Sequence, residues 1–328
     1  MRPEKLIPTP KAFPIENCLN RIAPHRKIEG ICAVLLPFDQ KGTPDFPNFA
    51  RLVDFTARSG LTPAVNMDTG YVHLLSQQDR AEVLKITRQV MSGRRFVAGA
   101  FIEGRGGPIV DLYLGQVDSI CSHGGTPILF QCSALKGKST DEIAAVYQAV
   151  ASRCDGLLAF ELGEMFAPFG QIYSLEAVDR LMRIPQILGM KHSSLDRRLE
   201  WERLELRDRL RPDFKIYTGN DLAIDMVMYG SDYLLGLAAF APDAFTRRDN
   251  HWAKGEAEFF AFNDLLQYLG SFAFRDPVPA YRHSAAQFLK LRGLIPCDQP
   301  HPQSPRRPST DLEILQNIAQ RLDRLMET

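Results

Sequence analysis

The segment Gln186–Arg211, QILGMKHSSLDRRLEWERLELRDRLR, decides the fold. Ile187, Leu188 and Met190 form an apolar run of strand length, and the chain then passes through His192–Ser194 into residues of alternating charge. Mixed-sign charge of that kind reads as a helix with a solvated face. One strand-then-helix unit fixes little, but the unit recurs. ICAVLLPF precedes FPNFARLVDFTARSG, TPAVNMD precedes SQQDRAEVLKITRQVMSG, and RFVAGAFI precedes VDLYLGQVDSICSHGG. TPILFQC leads to STDEIAAVYQAVASRC and GLLAFELG to SLEAVDRLMRI. Beyond the quoted segment, FKIYTGN leads to LAIDMVMYG and YLLGLAAF to PDAFTRRDNHWAKG. Ser76 suits a helix N-cap, and Gly60 and Gly93 suit helix stops.

Eight such units in residues 30–255 suit the roughly 200–250 residues of a closed (β/α)8 TIM barrel. An open doubly wound sheet also alternates, yet no GxGxxG follows the first strand. The expected class is therefore α/β. Residues 1–29, interrupted by proline, read as an extended N-terminal arm. Residues 256–328 read as a C-terminal helical bundle, with amphipathic stretches AEFFAFNDLLQYLGSFAF, PAYRHSAAQFLKLRGL and DLEILQNIAQRLDRLM. The proline-rich PCDQPHPQSPRRPS links the last two.

Among the 328 residues, 39 Lys+Arg balance 39 Asp+Glu. Zero net charge without a basic block argues against nucleic acid or an anionic membrane as partner. No stretch approaches the roughly 20 apolar residues of a membrane span, and no signal-peptide core opens the chain, so a cytoplasmic protein is expected. The six cysteines include no CxxC pair and the seven histidines no HxH or HExxH, so neither a disulfide nor a metal site is expected.

Lys191 ends the apolar run of the quoted segment. A surface lysine at a strand end is one reading. In a barrel, however, chemistry sits at the C-terminal ends of the strands. An amine desolvated there is neutral often enough to attack a ketone, and the resulting imine is an electron sink.

Four pieces, in order, carry a resemblance over about Gly30 to Leu294. They are LLPFDQKGTPD (35–45), NMDTGYVHLLSQQDRAEVL (66–84), GMKHSS (189–194) and YTGNDLAIDMVMYGSDYLLG (217–236). Together they resemble the dihydrodipicolinate synthase / N-acetylneuraminate lyase family of Schiff-base aldolases. The resemblance implies Lys191 as the imine-forming lysine and Thr69 with the Gly70 turn as holders of the substrate carboxylate. It also implies Asn220 and Gly236 as substrate-binding positions, and a homo-oligomer, dimer or tetramer.

Departures from the family pattern are equally specific. Asp68 stands where a relay threonine belongs, either moving protons or capping a turn. FELGEMFAPFG (160–170) lacks the family's fifth-strand tyrosine and the arginine before Gly170. Glu161 and Glu164 lie there instead. Against Phe160, Phe166 and Phe169 such a carboxyl is expected to have a raised pKa and act as acid/base; a surface salt bridge is the alternative. PILFQCSAL on strand four also lacks the relay tyrosines, leaving Tyr71 or Tyr173 as phenol candidates. His192 and His73 read as tuning groups or loop histidines, and GRGG (104–107) as an anion cradle or a flexible loop.

The expected activity is a cofactor-free Schiff-base lyase or aldolase joining or splitting a 2-keto acid and an aldehyde, but not dihydrodipicolinate synthesis. Two alternatives stand beside it: a Schiff-base dehydratase of a 2-keto-3-deoxy sugar acid, and a non-catalytic keto-acid-binding protein.

Overall fold

A computed structural model describes residues 15–327. Eight parallel strands close into a barrel in chain order. They are β1 (Gly30–Ala33), β2 (Thr62–Val65), β3 (Val97–Ala100), β4 (Thr126–Leu129), β5 (Leu157–Leu162), β6 (Ile187–Ser193), β7 (Lys215–Thr218) and β8 (Asp232–Leu235). A short helix, α1 (Ile15–Asn20), precedes them. The extended-arm expectation is thereby corrected over those residues, while its first fourteen positions lie outside the described residues. Around the barrel run α2 (Phe46–Arg58), α3 (Gln77–Met91), α4 (Ile109–Ser122), α5 (Thr140–Ala151), α6 (Leu175–Met182), α7 (Arg197–Leu210) and α8 (Pro242–Lys254). The seventh unit is closed by a 3-10 turn, Ile224–Tyr229, rather than an α-helix. The helices α9 (Glu258–Ala273), α10 (Tyr281–Leu291) and α11 (Asp311–Glu327) follow the barrel.

Local chemistry explains the boundaries. Ser76 accepts from the Asp79 N–H at the start of α3, as the sequence predicts. Ser139 and Glu142 close a capping box on α5. At the end of α2, Gly60 takes φ +99°, which a side chain would strain.

Two apolar layers result. Inside the barrel lie alternate strand residues such as Ile31, Ile128, Leu158, Phe160 and Leu234. Between barrel and helices lies the larger core, which includes Leu157, Ala159, Ile187 and Met190. Strand alternation thus sends Phe160 inward and its neighbour Glu161 outward. The β5–β6 register pairs Phe160 with Lys191 and Glu161 with His192, so parity on one strand repeats on the next.

Outward does not mean solvated here. The charged stretch on α7 buries Glu200 and Arg203, three residues apart on one face, against the barrel. Glu200 accepts from Thr218 Oγ1 at 2.9 Å and Ser231 Oγ at 2.5 Å. That helix face, read from its charges as solvated, is in part an ionic seam between α7 and the strands.

Candidate active site

Lys191 is 9 % exposed and projects into the barrel mouth. Its Nζ lies 4.4 Å from the centre of the Phe160 ring. Burial lowers its pKa, and the negative charges of Asp221 and Asp68 offset this only in part. The amine opens on a cavity of about 20 Å³, lined among others by Asp68, Thr69, Ser193, Asp221, Gly236 and Tyr281. That is the space of an ordered water.

Tyr281 is the residue that local sequence reasoning missed. It begins α10, in the C-terminal region, and stacks on Phe274 with ring centres 4.3 Å apart. Its hydroxyl donates to Asp68 Oδ2 at 2.9 Å and lies 2.9 Å from Thr69 Oγ1. Since the phenol proton goes to Asp68, the phenol oxygen accepts from Thr69. The single Thr69 proton is then committed, so its hydroxyl faces the cavity as an acceptor. The wire runs Thr69, Tyr281, Asp68, with the carboxylate as its sink.

Asp68 is equipped for that end. Burial alone would raise its pKa, but Arg282, His73, the Tyr281 hydroxyl and Lys191 together bring it below the ordinary carboxylate value. Arg282 Nη1 donates to the Asp68 carbonyl at 3.1 Å and to Oδ1 at 3.4 Å. Its guanidinium also lies 5.1 Å from the Tyr71 ring centre. The repulsion a lone Asp68 would exert on a substrate carboxylate is thus largely neutralised.

Asp221 has the opposite character. Burial outweighs the Leu237 N–H bond and the Lys191 charge, and pushes its pKa up to about 7. A carboxyl that titrates near neutral pH beside an amine can both give and take a proton. Ser193 lines the same cavity, and its buried hydroxyl has no hydrogen-bond partner among the described residues.

Several expectations need correction. Glu161 is fully buried on the outer face of β5 and is no acid/base of the cavity. It accepts from His192 Nδ1 at 2.5 Å, Tyr173 N at 2.9 Å, and Arg203 through both Nε and Nη2. Burial would raise its pKa, but His192 and Arg203 hold it down to about 2. Glu164 is exposed and pairs with Lys136 at 2.6 Å. Asn220 turns away from the cavity, its Oδ1 accepting from Leu222 N at 3.0 Å; Gly219 and Asp221 on either side line the cavity instead. The Gly70 N–H is spent within its turn on the Met67 carbonyl at 3.0 Å, which leaves it unavailable to a carboxylate.

Tyr71 and Tyr173 do not line the Lys191 cavity. Tyr71 packs on Phe38 and His301, and Tyr173 lies beside Tyr147. His192 bridges Glu161 and Ser194 Oγ, the latter at 2.5 Å. His73 does approach the site, with Nδ1 3.7 Å from Asp68. Gly104 and Gly106 of GRGG stand in open loop, where an added side chain would meet nothing within 4 Å. Gly236 is where a side chain would collide: a methyl there would meet Thr69 Oγ1 at 3.1 Å and Tyr281 Cε2 at 3.2 Å.

A closed (β/α)8 barrel with a buried lysine at the end of β6 defines the class: the chain is a divergent member of the dihydrodipicolinate synthase / N-acetylneuraminate lyase family. More narrowly, it belongs to the DUF993 family, described as a protein of unknown function, whose model matches residues 97–296. That span holds both Lys191 and Tyr281.

Two curated relatives are 4-hydroxy-tetrahydrodipicolinate synthases. That of Pseudomonas aeruginosa is 26% identical over 80% of this chain and 88% of its own. That of Cytophaga hutchinsonii is 23% identical over 75% and 79%. Among solved structures, the dihydrodipicolinate synthase of Thermotoga maritima superposes with a TM-score of 0.77 at 18% identity, covering 91% of this chain and 99% of that one. A prophage protein of the dihydrodipicolinic acid synthase family from Escherichia coli, solved with pyruvate, gives 0.77 at 16% identity, covering 90% and 98%. No helix among the described residues is long and apolar enough to cross a membrane.

Proposed function

We propose that the chain is a Schiff-base lyase of 2-keto acids, with pyruvate or a pyruvate-like acid as the imine partner. The observation that carries this is Lys191: a buried amine at a small cavity, its pKa lowered by burial, with titratable oxygens on the same wall. The amine attacks the keto carbon. Asp221, entering protonated, gives its proton to the alkoxide, takes one from the ammonium and passes it to the resulting hydroxyl, which leaves as water; the iminium and the Asp221 carboxylate remain. Loss of a methyl proton then gives the enamine, and the neutral nitrogen has accepted the electron pair that the iminium drew in. The Thr69–Tyr281–Asp68 wire takes up the methyl proton and returns it to a reacting oxygen or carbon. The roles first assigned to Glu161 thus pass to Asp221 and Tyr281, while Asp68 keeps its own. Gly236, which leaves room between Thr69 and Tyr281, keeps a place in the site. No cofactor is required by this chemistry, and cytoplasmic residence and a homo-oligomeric state remain part of the same reading.

Seating a keto acid requires more room than the cavity offers. Phe166, half-buried on the segment after β5, lines both this cavity and the larger space beside it, and is the side chain whose rotation would join the two. The direct test is exchange of the pyruvate methyl protons in D2O, followed by proton NMR. The protein should catalyse exchange without any aldehyde, and Lys191→Ala should not. Exchange that survives in Lys191→Ala overturns the reading.

A further inference from the structure

Beyond the lysine cavity lies a second space of about 240 Å³, which shares Asp68, Leu162 and Phe166 with it and so forms its vestibule. We infer that the second reactant, the aldehyde joined to or released from the keto acid, is an uncharged aromatic aldehyde. This rests on the imine reading above and adds the class of the other substrate.

Three observations carry it. First, an aromatic series leads outward from the nucleophile. Lys191 sits over Phe160, whose ring centre is 5.0 Å from Phe130; Phe130 is 5.6 Å from Phe101, and Phe101 is 6.0 Å from Phe169. The last three contacts are edge-on, the geometry in which one more planar ring finds a favourable place. Phe101, Phe130 and Phe169 all line the vestibule. Second, the charges in the wall cancel. Asp68 and Arg282 are paired with each other, and burial lowers the pKa of His73 so that it stays neutral. Among the described residues that line the vestibule, a phosphate or second carboxylate would meet no cation that is not already paired. Third, most of the vestibule lining is apolar: Val72, Leu74 and Leu162 join the phenyl rings, while the polar side chains are Asp68, His73, Arg282, Gln303 and Ser304. A sugar acid would bury several hydroxyls against phenyl rings and lose their hydrogen bonds to water. The apolar majority of the lining therefore suits a planar ring better than a sugar acid.

The step balances without an oxidant or reductant. The enamine carbon of the pyruvate imine forms a bond to the aldehyde carbon. The carbonyl electron pair moves to the aldehyde oxygen, which takes a proton from the wire. Water then hydrolyses the iminium, freeing Lys191 and a 4-hydroxy-2-keto acid that bears the aryl group.

The test supplies pyruvate with benzaldehyde, glyceraldehyde or glyoxylate, and follows the condensed acid by mass spectrometry alongside methyl exchange. kcat/KM for benzaldehyde should exceed that for the other two by at least about tenfold, the discrimination available from apolar contacts of this size. Phe169→Ser, on the half-buried rim, should narrow that ratio. Equal or reversed preference with methyl exchange intact overturns this inference and leaves the imine reading standing. Absence of exchange overturns both.

Discussion

Replacing Glu161 by Gln separates a structural carboxylate from a catalytic one. The side chain keeps its shape but loses the charge that compensates Arg203, itself buried to 1 % exposure. The Glu161 carboxyl is held at about 2 against an ordinary 4.5. At about 1.4 kcal/mol per pKa unit this is on the order of 3 kcal/mol. Removing one partner of a buried pair independently costs about 3–5 kcal/mol. Because the folded-state pKa is depressed, this stability is present above pH 4.5 and is lost as pH falls through the value near 2. Thermal unfolding followed by circular dichroism at pH 7 should show Glu161→Gln melting about 6 °C lower, at about 2 °C per kcal/mol for a chain of this size. The gap from the parent should shrink toward pH 3. The double variant Glu161→Leu/Arg203→Met should regain most of the loss, since an apolar pair leaves no orphaned charge. An unchanged melting temperature with abolished pyruvate methyl exchange would refute the reasoning and return Glu161 to the chemistry.

Other outcomes follow from the cavity. Gly219→Ala would place a methyl 2.0 Å from Ser193 Oγ and 2.7 Å from Lys191 Cε; methyl exchange should fall at least about a hundredfold, in keeping with the cost of small misplacements at reacting groups. Tyr281→Phe cuts the wire but keeps the stack on Phe274, so exchange should drop by roughly 10²–10⁴ with little change in melting temperature. Asp221, raised to about 7, should appear as an ionisation near neutral pH in the exchange–pH profile, and Asp221→Asn should remove it. Its stabilising contribution belongs to the protonated form, so it is present below pH 4 and lost as pH rises through 7; the Asn variant should lack that decline in urea titrations.

The barrel was legible because eight buried strands and their helices repeat a simple local pattern, and because Lys191 interrupts one of them where a barrel keeps its chemistry. The misassignment of Glu161 was avoidable in principle. If Lys191 points inward, so does its register partner Phe160, and the neighbouring Glu161 then faces out. Asn220 fails by the same one-residue parity, since Gly219 and Asp221 are the inward positions of that turn. The charges of α7 misled for another reason: charge alternation describes composition, whereas burial of Glu200 and Arg203 depends on partners contributed by distant strands. Tyr281 carried no local signal, because an aromatic at the start of an amphipathic helix is ordinary core material. Only the docking of α10 over the barrel mouth brings its hydroxyl to Thr69 and Asp68.

The most direct measurement is reduction with borohydride in the presence of pyruvate, followed by peptide mass mapping. A single reduced pyruvyl adduct on Lys191, absent from Lys191→Ala, is the predicted result. Labelling of other lysines with Lys191 unmodified, or no adduct at all, would contradict the account.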